Sequence, residues 1–323
     1  MITLKEIAAE LGVSVSTVSR VVTDKDRVDP EKRKLIKAAL EKYNYIPNDN
    51  ARGLRGMASR SIGIIIPTLS SAFYTSIVTA AQEVAYKHAY TAVIGCGGHG
   101  HEKNLAKLFK NKQIGKIMCA STLENAADFY GKLFDKNSVV LFDSDDAAAD
   151  GIGYVGFDSF GAGKKLAEYV LSLGHKRILV LSHTTESDRR NGILAAVRER
   201  GLSLPENCVI SGLSVPEAGY SLCLERFSVP ADVRPTAVLA TDNSLAYAAV
   251  RAVRELSLDV PRDVSVACFD AYDPTGILTP RLTCIMQKTR LIGEKAASML
   301  INGKSEHVTF DVDFVEGTSC RAM

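Results

Sequence analysis

This chain of 323 residues lacks several features that mark secreted, membrane-bound or disulfide-rich proteins. It contains no tryptophan, and no apolar run approaches the ~18 residues that a membrane-spanning helix needs. The N-terminus leads directly into an amphipathic pattern rather than into a signal peptide. The seven cysteines are scattered without a Cys-x-x-Cys pair, as is usual for thiols in a reducing compartment. We therefore expect a cytoplasmic protein with no membrane partner.

Motifs of catalysis and metal binding are also missing. The glycine-rich stretch GCGGHG at 95–100 has neither the lysine and Ser/Thr of a P-loop nor the spacing of a dinucleotide-binding fingerprint. His99 and His101 could contact a metal ion, but no third ligand follows from the sequence, so an exposed loop pair is favoured. No serine occupies a nucleophile elbow. We predict no catalytic residue, no metal site and no cofactor.

What the chain does have, at its start, is a pattern of two short helices joined by a tight turn. Thr3 and Glu6 are spaced as a capping box for the first helix, Gly12 permits the turn, and Ser14 can cap the second helix. In the second helix, Val18 and its neighbours one turn on are expected to point inward. The pattern predicts a helix-turn-helix, although a plain helical hairpin with an incidental polar face is the alternative.

The outer face of the second helix fits a major groove of DNA. Arg20 could read a guanine edge, Ser16 and Val15 a base edge or a thymine methyl, and Thr17 or Ser19 a phosphate. The predicted DNA-contacting residues of this segment are Thr3, Ser14, Val15, Ser16, Thr17, Ser19 and Arg20.

A third helix is predicted to begin at Asp29-Pro30, an N-cap followed by proline at the first helical position. Its inner face is expected to carry Leu35, Ile36, Ala39, Leu40 and Tyr43. Residues 1–60 hold twelve Lys and Arg against eight Asp and Glu, whereas the remainder holds 27 against 29. A basic head on a mildly acidic body is typical of phosphate contact, although a charged face alone is more often just solvated.

The segment 47–60 is a predicted hinge. Pro47 ends the third helix, and Asn48 could cap a short helix containing Ala51, Arg52 and Leu54. Such a short helix is unstable alone in water, so it would fold only on DNA, with Leu54 wedged into a minor groove. A solvated tether is the alternative, and composition alone favours it.

From residue 61 onward, short apolar runs alternate with helical patterns, which predicts parallel sheets with helices on both faces. The pattern starts again near residue 177, and about 260 residues exceed a comfortable single core. Two similar halves are therefore implied. Ligands of such sheets sit at the carboxyl ends of the strands, so two facing halves predict a cleft.

Six stretches now make a specific resemblance, because they occur in one order over nearly the whole chain. They are LKEIAAELGVSVSTVSRVV, the hinge Pro47-Asn48 with Ala51, Arg52 and Leu54, SIGIIIP, PTAVLATDNSLA, VPRDVSVACFD and TPRLTCIMQ. The chain resembles the lactose-repressor (LacI/GalR) family of bacterial transcription regulators. The resemblance implies a homodimer on a near-palindromic operator, paired hinge helices in its minor groove, and control by a small ligand bound in the body.

The resemblance also implies a body like that of periplasmic sugar-binding proteins, in which the chain crosses three times between two doubly wound parallel-sheet subdomains. The expected domains are an all-α three-helix head at 1–46, a hinge at 47–60 and a core at 61–323. Within the core we expect one subdomain at 61–157 plus 288–319 and another at 158–287 plus the C-terminal end.

Cleft residues are predicted from their positions at strand ends or at the helix starts that follow. They are Ser70, Phe73, Tyr74, Asp143, Asp158, Phe160, Arg189, Asn243 and Asp270. Acids and an arginine among aromatic rings suit a polyhydroxylated ligand such as a sugar or nucleoside. The alternative for any one of them, Asp143 and Asp158 above all, is a helix cap or a surface charge.

The resemblance adds that Arg189 and Gly192 match the family's Arg-x-x-Gly, Asp270 its Gly-Phe-Asp and Phe73 its cleft aromatic. The chain departs from the family pattern at Asp242-Asn243, Ser144, Ser159 and Cys268, so the ligand's identity does not carry over.

We therefore expect a ligand-controlled, DNA-binding regulator, with repression as the expected direction and the bacterial nucleoid as its place of action. A transport-type binding protein and an enzyme on a doubly wound fold are the alternatives.

Overall fold

The computed structural model describes residues 2–22, 28–45, 60–98, 100–144, 151–185, 187–213, 216–273, 276–277 and 279–323. The chain divides into two compact units, Met1–Ser59 and Arg60–Met323.

The described residues of the first unit form three short helices around a small apolar core. They are α1 (Leu4–Glu10), α2 (Val15–Val22) and α3 (Pro30–Lys42). The predicted capping box is confirmed, since Thr3 Oγ1 accepts from Glu6 N at 3.3 Å and Thr3 N donates to Glu6 Oε2 at 2.7 Å. Asp29 caps α3 as predicted, with Oδ1 3.1 Å from Lys32 N. The buried core consists of Ile7, Ala8, Val18, Val21, Ile36 and Ala39.

The predicted inner face of α3 needs one correction. Leu35 is 53% exposed, because the buried stripe of this helix runs through Ile36 and Ala39 and residue 35 lies about 100° away from residue 36 around the axis. Lys42 and the Tyr43 hydroxyl both donate to Glu10 Oε1, at 3.1 and 2.8 Å, and so tie the end of α3 to α1.

The first sheet of the second unit has six strands: β1 (Ser61–Ile66), β2 (Thr91–Cys96), β3 (Lys116–Cys119), β4 (Val139–Phe142), β5 (Gly153–Phe157) and β11 (His307–Phe310). All its strand pairings are parallel, and the strand order is β11-β5-β4-β3-β1-β2. Its helices are α4 (Ala72–Lys87), α5 (Glu102–Asn111), α6 (Ala126–Leu133) and α11 (Thr289–Asn302). The strand Ser61–Ile66 is apolar along almost its whole length because helices cover both faces of the sheet.

The second sheet also has six strands: β6 (Ile178–Leu181), β7 (Val209–Ile210), β8 (Ala237–Ala240), β9 (Ser265–Phe269), β10 (Thr283–Met286) and β12 (Asp313–Val315). Their order is β12-β10-β9-β8-β6-β7, and among the described pairings only the edge strand β12 runs antiparallel to its neighbour. Its helices are α7 (Ser159–Ser172), α8 (Asp188–Glu199), α9 (Pro216–Phe227) and α10 (Asn243–Glu255).

The predicted pair of parallel-sheet subdomains is confirmed, and we call them the first and second lobes, after the first and second sheets. The subdomain boundary at residue 319 is wrong. Strand β12 at Asp313–Val315 already pairs with β10, so the last crossing lies between His307–Phe310 and Asp313–Val315. Among the described residues, no helix is both long enough and apolar enough to cross a bilayer.

Candidate functional site

The exposed face of α2 is the first candidate site. Ser16 and Arg20 are exposed, Val15 is 37% exposed, and Val18 and Val21 are buried against the other helices. The helix thus anchors itself through two valines and presents short polar side chains and an arginine on the opposite side. A helix with this profile has the dimensions and chemistry to enter a major groove.

Part of the predicted DNA-contacting set is engaged in capping. Ser14 Oγ accepts from Thr17 N at 3.1 Å and lies 2.7 Å from the hydroxyls of both Ser16 and Thr17. Thr3 is bound to Glu6, as described above, and Ser19 is half-buried. The predicted contacts of Asn48, Ala51, Arg52 and Leu54 lie outside the described residues, as does His99 of the histidine pair.

The second candidate site is a cavity of about 770 Å³ between the two lobes of the body. Residues after β1, β4, β6, β8 and β9 line it, as expected when the carboxyl ends of two parallel sheets face each other. Seven of the nine predicted cleft residues line this cavity: Ser70, Phe73, Tyr74, Asp143, Arg189, Asn243 and Asp270.

Two predicted cleft residues lie outside the cavity lining. Asp158 is the N-cap of α7, and its Oδ1 accepts from Gly161 N at 2.8 Å. Phe160 is in the first turn of α7 and is 43% exposed. Its backbone packs closely against the neighbouring helix α8, since a Cβ on Gly192 would lie 2.0 Å from the Phe160 carbonyl oxygen. The glycine at position 192 is thus required for close packing of α7 and α8.

Arg189 links the two lobes at the centre of the cavity. Its Nη2 donates to Asp143 Oδ1 of the first lobe at 2.9 Å, and its Nη1 donates to the Thr241 carbonyl of the second lobe at 3.0 Å. The guanidinium also lies over the rings of Phe157 and Phe269, at 5.2 and 4.9 Å from their centroids. A planar cation held by two acceptors and two rings has little freedom to reorient.

The other oxygen of Asp143 accepts from the Tyr74 hydroxyl at 2.8 Å. Burial, and then the nearby carboxylate of Asp143, raise the pKa of Tyr74 well above its ordinary value, so the phenol remains a donor. For Arg189, burial works against the charge, but Asp143 and then Asp270 outweigh it and raise the pKa. The tyrosine, aspartate and arginine therefore form a chain of hydrogen bonds that spans the cleft.

Asp270 is the most deeply buried acid of the cavity. Its Oδ1 accepts from Gln287 N at 2.9 Å and its Oδ2 from Gln287 Nε2 at 2.6 Å. Its carbonyl accepts from the Asn243 amide at 2.8 Å, so the predicted ligand contact Asn243 also braces the Asp270 loop. Burial raises the pKa of Asp270, although Arg189 and the hydrogen bonds from Gln287 oppose this shift.

Both Asp143 and Asp270 adopt left-handed backbone conformations, with φ of 45° and 53°. Aspartate tolerates this region better than most residues, but it still costs free energy. Each residue follows directly after a strand, and the turn directs its side chain into the cleft instead of continuing the strand. Such local strain is common at binding sites, where surrounding contacts hold it in place.

Sequence reasoning missed an ion pair at the second-lobe side of the cavity. His183 follows β6 and Asp242 follows β8, and the imidazole Nε2 contacts Asp242 Oδ2. The His183 Nδ1 contacts the Leu213 carbonyl oxygen. The rule that ligands bind beyond strand ends, applied to the stretch RILVLS, would have included His183.

Hydroxyl groups are the commonest polar groups of the cavity. Ten of its lining residues are serine or threonine: Thr68, Ser70, Ser71, Ser144, Ser159, Ser182, Thr184, Ser187, Thr241 and Ser244. Ser144 and Ser159, where the chain departs from the family pattern, are both among them. Hydroxyls donate and accept, so this lining can match a ligand that carries several hydroxyl groups. Another groove, of about 790 Å³, lies on the first lobe between exposed charged side chains, without such convergence.

Comparisons with known proteins match both units. The profile described as "Bacterial regulatory proteins, lacI family" matches residues 3–48, and that described as "Periplasmic binding protein-like domain" matches residues 167–320. The HTH-type transcriptional repressor PurR of Pasteurella multocida is 31% identical over 318 residues, which are 95% of this chain and 94% of that protein. PurR of Escherichia coli O139:H28 is 30% identical and spans 94% of this chain and 90% of that protein.

Solved structures show the same fold. The lac repressor dimer bound to operator and the anti-inducer ONPF superimposes with a TM-score of 0.85 at 24% identity, over 99% of each chain. The complex of the transcriptional regulator CelR with cellobiose gives a TM-score of 0.69 at 22% identity, over 99% of this chain and all of that one.

Proposed function

The chain belongs to the lacI family of bacterial regulatory proteins, and from this premise we propose that it is a transcriptional repressor controlled by a small effector. The observation that carries the proposal is the outward face of α2, where Val15, Ser16 and Arg20 are exposed on a helix-turn-helix. In this proposal those three side chains read base edges, and the capped ends at Thr3 and Ser14 approach phosphates.

We propose a homodimer that binds a near-palindromic operator. Two helix-turn-helix units related by a twofold axis match two half-sites, which a single copy does not. The related lac repressor structure is of a dimer bound to operator. Asn48, Ala51, Arg52 and Leu54 would then contact the centre of the operator, with Leu54 in the minor groove.

The effector site of this proposal is the cavity between the lobes, with a sugar or nucleoside as its ligand. Arg189, Asp143 and Asp270 bind ligand hydroxyls, and Phe73 and Tyr74 pack against the apolar face of the ring. An effector that competes for Arg189 changes the link between the lobes, because Asp143 and Thr241 are bound to the same guanidinium. Binding energy in the cavity is thereby converted into a change of lobe angle. We propose that the protein acts through binding alone, without catalysis.

The test is selection of duplexes from a random library by the full chain, followed by fluorescence anisotropy on the selected and on scrambled duplexes. We expect the selected duplex to bind about 1,000-fold or more tightly than the scrambled one, with an affinity that falls steeply as salt rises. Equal affinity for both duplexes at every salt concentration would overturn the proposed function.

Two variants separate the two sites. Arg189→Ala should retain operator affinity and lose its response to sugars or nucleosides, whereas Arg20→Ala should lose operator affinity.

Leu54→Ala should weaken binding to the selected duplex more than to the scrambled one, and equal losses on both would exclude a minor-groove wedge.

A further inference from the structure

His183 and Asp242 are brought together by the pairing of two neighbouring strands. Strand β6 pairs with β8 in parallel, with Leu181 opposite Ala240, and each acquires its polar residue two positions beyond that pair. The two side chains line the cavity and are 37% and 21% exposed. They are therefore part of the surface that a ligand meets.

Both nitrogens of the His183 ring face acceptors. Nε2 contacts the Asp242 carboxylate and Nδ1 contacts the Leu213 carbonyl oxygen. A neutral imidazole has one N–H and could satisfy only one of these acceptors, whereas an imidazolium satisfies both. The hydrogen bond with Asp242 raises the pKa of His183, against the effects of burial and of the Arg189 charge. Burial alone would raise the pKa of Asp242, but the contact with His183 lowers it.

The carboxylate of Asp242 is occupied on both oxygens. Its Oδ1 accepts from Ser244 N at 2.6 Å, from Ser244 Oγ at 2.7 Å and from Leu245 N at 3.1 Å, in its role as N-cap of α10. Its Oδ2 faces His183. Without that imidazolium, Oδ2 would have no ion-pair partner among the described residues, although the Arg189 charge still acts on Asp242. Such a group attracts an ammonium ion from the ligand side.

We propose that His183 is a specificity residue of the cleft: its imidazolium occupies the position in front of Asp242 where a cationic ligand would bind, and so excludes ligands that carry an ammonium group. The inference rests on the proposed function, because it names which effectors the same cavity rejects. Its test uses neither DNA nor the effector, so the two can fail separately.

The experiment removes the His183 side chain and supplies free imidazole in its place. In the full chain, His183→Ala is expected to lower the melting temperature by about 2–4 °C. Imidazole at about pH 6, where it is largely cationic, should restore this loss in His183→Ala and leave the wild-type chain unchanged. The restoration should weaken at about pH 8.5, because neutral imidazole lacks the charge that pairs with Asp242.

The matched control is the double variant His183→Ala/Asp242→Asn. Asparagine is as good an N-cap as aspartate, so α10 keeps its cap while the carboxylate is removed. No restoration by imidazole is expected in this variant. The proposal would be overturned if imidazole stabilised the double variant as much as His183→Ala, if it stabilised the wild-type chain, or if it had no effect on His183→Ala.

A second variant, His183→Gln, keeps a neutral donor in front of Asp242 and provides a test if the alanine variant fails to fold. Because the pKa of His183 is raised in the folded chain, its stabilising effect is complete below the unfolded pKa of about 6.5 and is lost as the pH rises through the folded value. The melting temperature of the wild-type chain should thus exceed that of His183→Gln at about pH 6, and the two should converge as the pH is raised through the folded pKa of His183. A difference in melting temperature that stays constant with pH would contradict a charged imidazolium at position 183.

Discussion

The ion pair between Arg189 and Asp143 should couple the two lobes strongly, and a double-mutant cycle can measure its coupling free energy. The perturbations are Asp143→Asn, Arg189→Gln and the double variant. Asparagine tolerates the left-handed backbone of position 143 and can still accept from Tyr74, so Asp143→Asn removes the charge with little change in shape. The cycle then isolates the pairwise term from the other contacts of Arg189.

The magnitude follows from geometry and burial. The two atoms are 2.9 Å apart, and the side chains are only 17% and 19% exposed, so solvent screens the pair weakly. Two unit charges 4 Å apart attract each other by about 4 kcal/mol at the effective dielectric of a protein surface. Desolvation offsets part of this attraction, and charged hydrogen bonds retain about 1.5–3 kcal/mol. We expect a coupling free energy in that range.

The assay is urea unfolding of the full chain, followed by circular dichroism and by a second probe to test whether the transition is two-state. The Lys132–Asp128 pair is the matched control, since its 2.7 Å separation is shorter while its side chains are 75% and 63% exposed. Its coupling should be no more than about 0.5 kcal/mol, as is typical of exposed pairs four residues apart on a helix. A coupling for Arg189 and Asp143 as small as that of the control would refute the argument from burial.

Three further predictions concern the exposed face of α2, the packing of α7 against α8, and the buried Asp270. Arg20→Ala should lower specific operator affinity by about 1–3 kcal/mol in anisotropy measurements while leaving urea unfolding unchanged; an unchanged affinity would remove Arg20 from the reading face. Gly192→Ala should destabilise the chain by about 1–3 kcal/mol or more, because the added Cβ overlaps the Phe160 carbonyl oxygen, and wild-type stability would contradict that packing. Burial raises the pKa of Asp270, so ionising this carboxyl destabilises the folded chain. The free energy of unfolding should therefore fall as the pH rises from 3.8, the ordinary pKa of the group, through its higher pKa in the folded chain. Urea unfolding at several pH values should therefore show Asp270→Asn gaining stability relative to the wild-type chain over that interval. A difference in the free energy of unfolding that does not change with pH would contradict the raised pKa.

The elements predicted most successfully are those specified by neighbouring residues. Thr3, Glu6 and the Asp29-Pro30 pair each signal a helix start within four positions, and all are found there. The apolar runs also appear as strands, since helices cover both faces of each sheet. Other elements of the body carry weaker local signals. The helix Ala126–Leu133 is short, and its N-cap Asn125 makes no side-chain capping bond. The edge strand Asp313–Val315 is only three residues long.

Site residues were predictable by position but not by pairing. A strand end is visible in the sequence, so Asp143 and Asp270 could be placed at the cleft. The partner of each charge could not, because Arg189 is 46 positions from Asp143 and is brought to it by the other lobe. The same holds for His183, which meets Asp242 only because β6 lies beside β8. Asp158 illustrates the converse, since its position suits a ligand but its own helix uses it as a cap.

These pairings change what the cavity can recognise. The cavity is lined by three carboxylates, those of Asp143, Asp242 and Asp270, and unpaired carboxylates would attract cations. In the folded chain Asp143 is bound by Arg189 and Tyr74, Asp242 by His183 and its own helix, and Asp270 by Gln287. A carboxylate has about four lone-pair sites, so those of Asp143 and Asp270 can still accept hydrogen bonds from ligand hydroxyls, whereas Asp242 is filled. The charges of the cleft therefore serve mainly to hold its shape, and we expect its selectivity to depend on the placement of hydroxyl groups rather than on net charge.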